Sequence, residues 1–338
     1  MQDKSFSVVI PTYNRCTLLR LVLDGLSRQS YQNFNVIIVI KRADDGTEEM
    51  IEKYKKGLDI RTILQQKGHV IEALSLGLRE ATGDFIGFLD DDAIPAPDWL
   101  QRHAETYEQN DVAGVAGDVV SAKLSGGKIV ALCEEEEPPF LYPLTRVGLH
   151  LWNRPLPGAE GYFTYITRGG YVMTLGNMAY WRTHRPVRSF LGMGANMSVL
   201  RKAIDGFVFD SSCILGAGWE QMLAWYVWKK GHNMIFNPRA VVFHVAHGET
   251  LSRSLSVRRT TLHQAESELL FYRLYGKEEG VSLMYHIVSM LYSTALALKK
   301  KDIPRIKGIV TGNIIGLKRF ILGSSNVEGA TLLGLEAI

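Results

Sequence analysis

The chain has 338 residues, 46% of them hydrophobic and 22% charged, with 38 Lys+Arg against 35 Asp+Glu and a net charge of +3. That length holds one large α/β domain with an appendage, or two domains. The balance excludes wholesale disorder, and a charge this near neutral gives no ground for a nucleic-acid partner. Cys16, Cys133 and Cys213 are odd in number, scattered and without CxxC spacing. A disulfide framework or structural zinc is therefore not expected, and a reducing cytosol is the expected compartment. No apolar stretch follows a basic start at the N-terminus, so no signal peptide is expected, and no run of about 20 apolar residues suggests a spanning helix.

In chain order, Phe6–Ile10 is a β-rich run stopped by Pro11 and reads as a buried first strand leading into a loop. Helical spacing follows from Leu18 to Ser27. Val36–Ile40 is wholly apolar and mostly β-branched, the pattern of a strand buried on both faces of a parallel sheet. The turn Asp44-Asp45-Gly46 leads into a helix start at Thr47. Ile60–Leu64 is a third strand, Val70–Ala81 a helix, and Phe85–Leu89 a fourth strand that runs directly into Asp90. Strands alternating with helices across short connections predict an α/β fold: a doubly wound, mostly parallel sheet. Ligands bind beyond the carboxyl ends of such strands. Four loops then converge there: Pro11–Arg15, Lys41–Gly46, Gln65–His69 and Asp90–Pro95. Residues 134–192, rich in proline, glycine and aromatics, read as an irregular insertion or lid.

Asp90, Asp91 and Asp92 are consecutive carboxylates at a strand end. Alternate residues of an extended segment face the same way, so Asp90 and Asp92 can share a site. Carboxylates this close repel unless a cation lies among them. Mg²⁺ or Mn²⁺ is the natural partner, because hard cations take oxygen ligands. The bland alternative is a solvated acidic turn.

Two segments carry a resemblance. Ser7–Arg15 resembles the opening strand and loop of family 2 glycosyltransferases of the GT-A fold, and Ala81–Asp92 resembles that family's DXD segment. The resemblance runs over roughly residues 5–250. It implies a Rossmann-like GT-A domain at 1–250, with 134–192 as acceptor or lid insertion and 251–338 as a C-terminal helical extension. It further implies a nucleotide-diphosphate sugar donor, UDP- or GDP-linked, a divalent metal, and a glycan or lipid-linked acceptor.

By position, Pro11, Thr12, Tyr13 and Arg15 would pack on the base and ribose. Lys67 would contact phosphate or stay solvated. Asp90 and Asp91 would contact the donor, and Asp92 the metal and diphosphate. The acidic residue that usually reads the base is replaced by Lys41, leaving Asp45 as a donor-binding substitute or simply a turn and cap residue. Downstream, the family's acidic pair reads Trp219-Glu220 here, and Glu220 falls at the catalytic-base position. The alternative for Glu220 is a helix N-terminal glutamate favoured by the macrodipole. His244 ends the Phe236–His244 segment and would complete the metal site, or is structural.

Beyond the resemblance, residues 281–298 and 303–322 show helical apolar spacing, with Lys299, Lys300, Lys301, Arg305, Lys307, Lys318 and Arg319 among them. Two readings stay open. The helices pack on the core or on a second subunit, or they lie at a membrane interface, which would put the protein at the cytoplasmic face. For the whole chain, an inverting transferase is the leading expectation. A retaining transferase on the same fold and a non-catalytic nucleotide- or glycan-binding relative are the alternatives.

Overall fold

The computed structural model describes residues 4–42, 44–126, 128–132, 154–174, 185–190, 192, 194–210, 215–245 and 257–322. Most of the 134–192 insertion lies outside the described residues. The chain divides into two compact units. One comprises Met1–Glu134, Met178–Phe209 and Leu223–His247; the other comprises Glu135–Asn177, Asp210–Met222 and Gly248–Ile338.

The first unit is built on alternating elements: β1 (Phe6–Thr12), α1 (Cys16–Leu26), β2 (Phe34–Lys41), α2 (Thr47–Tyr54), β3 (Ile60–Gln65), α3 (Val70–Glu80), β4 (Phe85–Phe88) and β5 (Ala93–Pro95). There follow α4 (Trp99–Gln109), β6 (Gly114–Ser125) and β7 (Lys128–Ala131). The second unit contributes β8 (Thr164–Ile166) and β9 (Val172–Thr174) next in chain order. The chain then supplies β10 (Val187–Ser189), β11 (Met197–Leu200), α5 (Trp219–Lys229) and β12 (Met234–Val245). The main sheet runs in the order β10-β12-β6-β11-β4-β1-β2-β3, with β5 beside β12 and β7 beside β6.

The central sheet is mostly parallel, as the alternating pattern predicts: β3, β2, β1 and β4 are mutually parallel, and so are β6 and β12. β11 inserts antiparallel between β4 and β6. Val36–Ile40 is buried throughout, which explains its unbroken apolar run. One expectation shifts, because β1 continues through Pro11, opposite Val39, to Thr12. The β4 ladder ends at the Val9–Phe88 pair, and Val9 O accepts from Leu89 N on that side. The N–H that proline lacks therefore falls where no β4 partner remains.

Because β1 to β4 are parallel, the loops after Thr12, Lys41, Gln65 and Phe88 leave the same end of the sheet. β12 passes there too. It pairs antiparallel with β5, and His244 stands opposite Ala93, one residue from Asp92.

The second unit holds the β8–β9 hairpin, the loop before α5, α6 (Val257–Leu270, continued by a π-helical turn to Tyr275), α7 (Leu283–Lys299) and α8 (Ile303–Leu322). α8 lies close against α6 through Gly308, Gly312 and Gly316. A Cβ on Gly312 would stand 2.6 Å from Ala265 O, and one on Gly308 2.7 Å from Thr261 O. Polar groups fill the interior beside this contact. Glu268 accepts from Tyr171 Oη (2.9 Å), Gln264 Nε2 (2.8 Å) and Asn313 Nδ2 (3.0 Å), and Asn313 Oδ1 faces His286 Nε2 at 2.7 Å. Among the described residues, no helix is long and apolar enough to cross a membrane.

Candidate active site

The strand β4 ends at Phe88, and Leu89 is anchored to β1 by its N–H to Val9 O. The three aspartates follow at once, not on an extended segment as the sequence suggested but in a turn closed by Ala93 N–H to Asp90 O at 3.1 Å, and the turn separates their side chains. Asp91 turns toward β1 and is buried. Its carboxylate accepts from Thr12 Oγ1 at 2.7 Å and from Arg15 Nη1 at 2.7 Å. Asp90 and Asp92 turn the other way, toward β12. Ligand atoms of Asp90, Asp92 and His244 all lie within 4.8 Å of one another. Asp92 is buried, with Oδ1 3.2 Å from His244 Nε2 and Oδ2 3.1 Å from Arg15 Nη1. The Asp92 carbonyl also accepts the Val245 N–H at 2.9 Å, which locks the turn to β12.

The electrostatics follow from this geometry. Burial pushes the Asp91 carboxyl up, and the neighbouring Asp92 adds to it; Arg15 and Thr12 offset part of that rise. Burial works to lower the Arg15 guanidinium, but the Asp91 and Asp92 carboxylates outweigh it and the net shift is upward. Arg15 therefore stays a cation at the edge of the carboxylate pair.

The surrounding loops bring the other predicted donor residues to the same end of the sheet. Pro11 and Thr12 close β1. Tyr13 is exposed, and Asn14 adopts a left-handed φ of 55°, a conformation asparagine tolerates better than most residues. Lys41 Nζ lies 5.4 Å from the Tyr13 ring centroid and donates to Gly68 O at 3.2 Å. The residue in the usual base-reading position thus links the first and third loops. Lys67 is exposed, and its carbonyl accepts from the buried Gln65 at 2.9 Å.

Asp45 is held as a double cap. It accepts from Cys16 N at 2.9 Å, Thr47 N at 3.2 Å and Thr47 Oγ1 at 2.6 Å, tying the first turns of α1 and α2 together. Burial favours its neutral form, but the Thr47 and Cys16 hydrogen bonds outweigh that and hold its pKa below the ordinary value.

Glu220 belongs to the other unit, half-buried in the first turn of α5. The loop before it, Leu215–Gly218, needs left-handed backbone at Gly216 (φ 73°) and Gly218 (φ 71°). A residue not singled out by sequence holds that loop. The buried Glu266 of α6 accepts from Leu215 N through both oxygens, at 3.1 Å each, and from Ala217 N at 3.4 Å. Its signal was present, because Glu266 sits among Leu262, Ala265, Leu269 and Leu270 on the buried face of α6. A carboxylate on an apolar face requires a partner.

A mostly parallel sheet bearing an acidic cluster at the carboxyl ends of its strands is the architecture of GT-A glycosyltransferases. Residues 7–169 match the model for glycosyl transferase family 2. The amylovoran biosynthesis glycosyltransferase AmsB of Erwinia amylovora is 40% identical over 119 residues, covering 34% of this chain and 39% of AmsB. The glycosyltransferase AglE of Haloferax volcanii is 30% identical over 126 residues, covering 36% of this chain and 41% of AglE. The match thus spans less than half the length of these curated relatives.

Among solved structures, the mannosyltransferase PcManGT of Pyrobaculum calidifontis, in complex with GDP-Man and Mn²⁺, superposes with a TM-score of 0.51. The two are 17% identical, and the match covers 98% of this chain and 85% of that one. S. aureus TarS 1-349, in complex with UDP-GlcNAc, gives 0.52 at 14% identity, covering 96% and 95%. At these identities the likeness speaks for the fold.

Proposed function

We propose that this chain transfers a sugar from a UDP- or GDP-linked diphosphate donor to an acceptor hydroxyl or lipid phosphate, by direct displacement with inversion. The observation that carries the reading is the convergence of Asp90, Asp92 and His244 on one point beyond the strand ends. Two carboxylates and an imidazole suit Mn²⁺ well, and Mg²⁺ less well because it prefers oxygen alone. These three residues are the ones to hold the ion, and an ion there supplies Lewis-acid stabilisation of the diphosphate leaving group.

The remaining roles belong to side chains. Arg15, a cation beside the carboxylates, neutralises diphosphate charge. The exposed Tyr13 ring offers a face for the base, with Lys41 as a hydrogen-bond donor beside it. Lys67 is a loop cation within reach of the same strand ends. Glu220, assigned from its place in the Trp219-Glu220 pair, takes the proton of the acceptor hydroxyl as the bond from that oxygen to the sugar's anomeric carbon forms. The bond to the nucleoside diphosphate breaks in the same displacement.

The test is a thermal-shift series with UDP- and GDP-sugars, each with and without Mn²⁺. At a ligand concentration of 100 Kd, stability rises by about 2.7 kcal/mol. One donor class is expected to raise Tm only with the ion present, and Asp92→Ala to abolish the rise. Failure of every donor to bind in Mn²⁺ refutes the reading.

A further inference from the structure

We propose that the outward faces of α7 and α8 form a surface that lies on an anionic lipid bilayer. The two helices are built inside out for a globular protein. On α7 the buried positions are His286, Ser289 and Ala297. The outward positions are Met284, Ile287, Leu291 and Leu298, exposed by 42–66%. Their spacing of three, four and seven residues makes one continuous stripe. On α8 the inward face is Gly308, Gly312, Asn313 and Gly316, seated against α6. The outward residues Ile303, Val310, Ile314, Leu317 and Ile321 are exposed by 38–71% and again recur at three, four and seven. Apart from the fully buried Ile309, the buried positions are small or polar, and the most exposed positions are large and mostly aliphatic. Single exposed aliphatics need no explanation, but a continuous stripe on each of two consecutive helices marks a surface meant for an apolar partner.

Charge identifies the partner. Lys299, Lys300 and Lys301 end α7, and Arg305, Lys307 and Lys318 lie along α8, all exposed. Asp302 is the one acidic residue between 281 and 322. A second copy of the chain would bring these cations onto one another, whereas an anionic headgroup layer pairs with them. Neither helix is a candidate span. The geometry is that of a helix pair lying in the interface, with aliphatic side chains among the acyl chains and basic ones at the headgroups.

The inference stands apart from the catalytic reading, and its test needs no turnover. The full chain is centrifuged with vesicles of phosphatidylcholine, or of phosphatidylcholine mixed with phosphatidylglycerol, across a salt series. Sedimentation with the mixed vesicles only, weakening as salt rises, is expected. Two variants separate the contributions. Leu291→Glu/Ile314→Glu, altering exposed positions only, is expected to stay in the supernatant. Lys299→Gln/Lys300→Gln/Lys301→Gln is expected to lose roughly 100-fold in partitioning at low salt, from about fivefold per lysine.

Both variants should keep the unfolding temperature of the parent chain, so loss of folding is distinguished from loss of binding. The proposal is overturned if the parent chain ignores anionic vesicles, if the double glutamate variant sediments as the parent does, or if Leu291 and Ile314 prove to be required for a dimer in solution instead.

Discussion

Replacement of Glu266 by glutamine isolates the control of the loop that leads to Glu220. The carboxylate meets Leu215 N with both oxygens at 3.1 Å and Ala217 N at 3.4 Å. Glutamine keeps one acceptor, loses the charge and turns an NH₂ toward backbone donors. A hydrogen bond to a buried charge contributes about 1.5–3 kcal/mol, and an orphaned buried donor costs a similar amount, so a loss of about 2 kcal/mol is expected. Gly216 and Gly218 give the loop many alternative conformations, so the loss goes into disorder of the segment that carries Glu220. About 2 kcal/mol corresponds to roughly 30-fold in kcat.

The assay is steady-state transfer with the donor identified by thermal shift. The donor KM should hold, because Asp90, Asp92 and His244 belong to the other unit. The acidic limb of the kcat–pH profile should also move if Glu220 is the titrating base. A folded Glu266→Gln protein with kcat within twofold of the parent, or one whose donor KM rises in step with the fall in kcat, refutes the positioning role.

Three further outcomes are expected. Asp92→Asn should weaken Mn²⁺ binding, read by calorimetry, by about 10- to 100-fold or more, since loss of even an outer partner of a metal ligand has that effect. Acid should destabilise the protein through His103. This side chain is fully buried against Asn196 and Ser198, and burial lowers its pKa from 6.5 to about 4 despite the Asn196 hydrogen bond. Its folded-state pKa is depressed, so its contribution is complete above pH 6.5. It is lost as pH falls toward 4, by about 3 kcal/mol at most, and His103→Gln should flatten the slope of denaturant midpoint against pH over that window. Gly312→Val should lower Tm, because even a Cβ there would lie 2.6 Å from Ala265 O and overpacking costs about 1–3 kcal/mol. Ile314→Ser on the opposite face should change stability by less than about 0.5 kcal/mol.

Much of the fold was legible because the strands of a buried parallel sheet leave an unmistakable trace. Val36–Ile40 and Phe85–Leu89 are apolar without interruption since both faces of the sheet are covered. The antiparallel placement of β11 between β4 and β6 left no such trace, since pairing partners 80 or more residues apart are not written in local periodicity. The site divides the same way. The nearness of Asp90 and Asp92 was expected from strand alternation but comes from a turn closed by Ala93 N–H to Asp90 O, and the β5–β12 pairing that delivers His244 to Asp92 is a tertiary fact. For Asp45 the sequence left two readings open, and its carboxylate is engaged by Cys16 and Thr47 as a cap. Helical spacing located α7 and α8 correctly but could not say which face looks inward. The periodicity of an apolar stripe is the same whether the stripe meets a core or solvent.

The three adjacent aspartates solve a problem that three equal ones could not. If all pointed to one ion, the ion-free protein would hold three clustered negative charges. Instead, Asp91 is turned away into Thr12 and Arg15, and the cation it recruits also reaches Asp92 at 3.1 Å. Arg15 thereby lowers the repulsion between Asp91 and Asp92 without occupying the side of Asp92 that faces His244 and Asp90. The consequence is a division of labour along three consecutive residues. The middle one fastens the first loop to the end of the fourth strand, and the outer two place a pair of carboxylates beside an imidazole. A turn that merely exposed its charges to water would have no reason to bury Asp91 and Asp92 or to secure them from β1, the loop after it and β12.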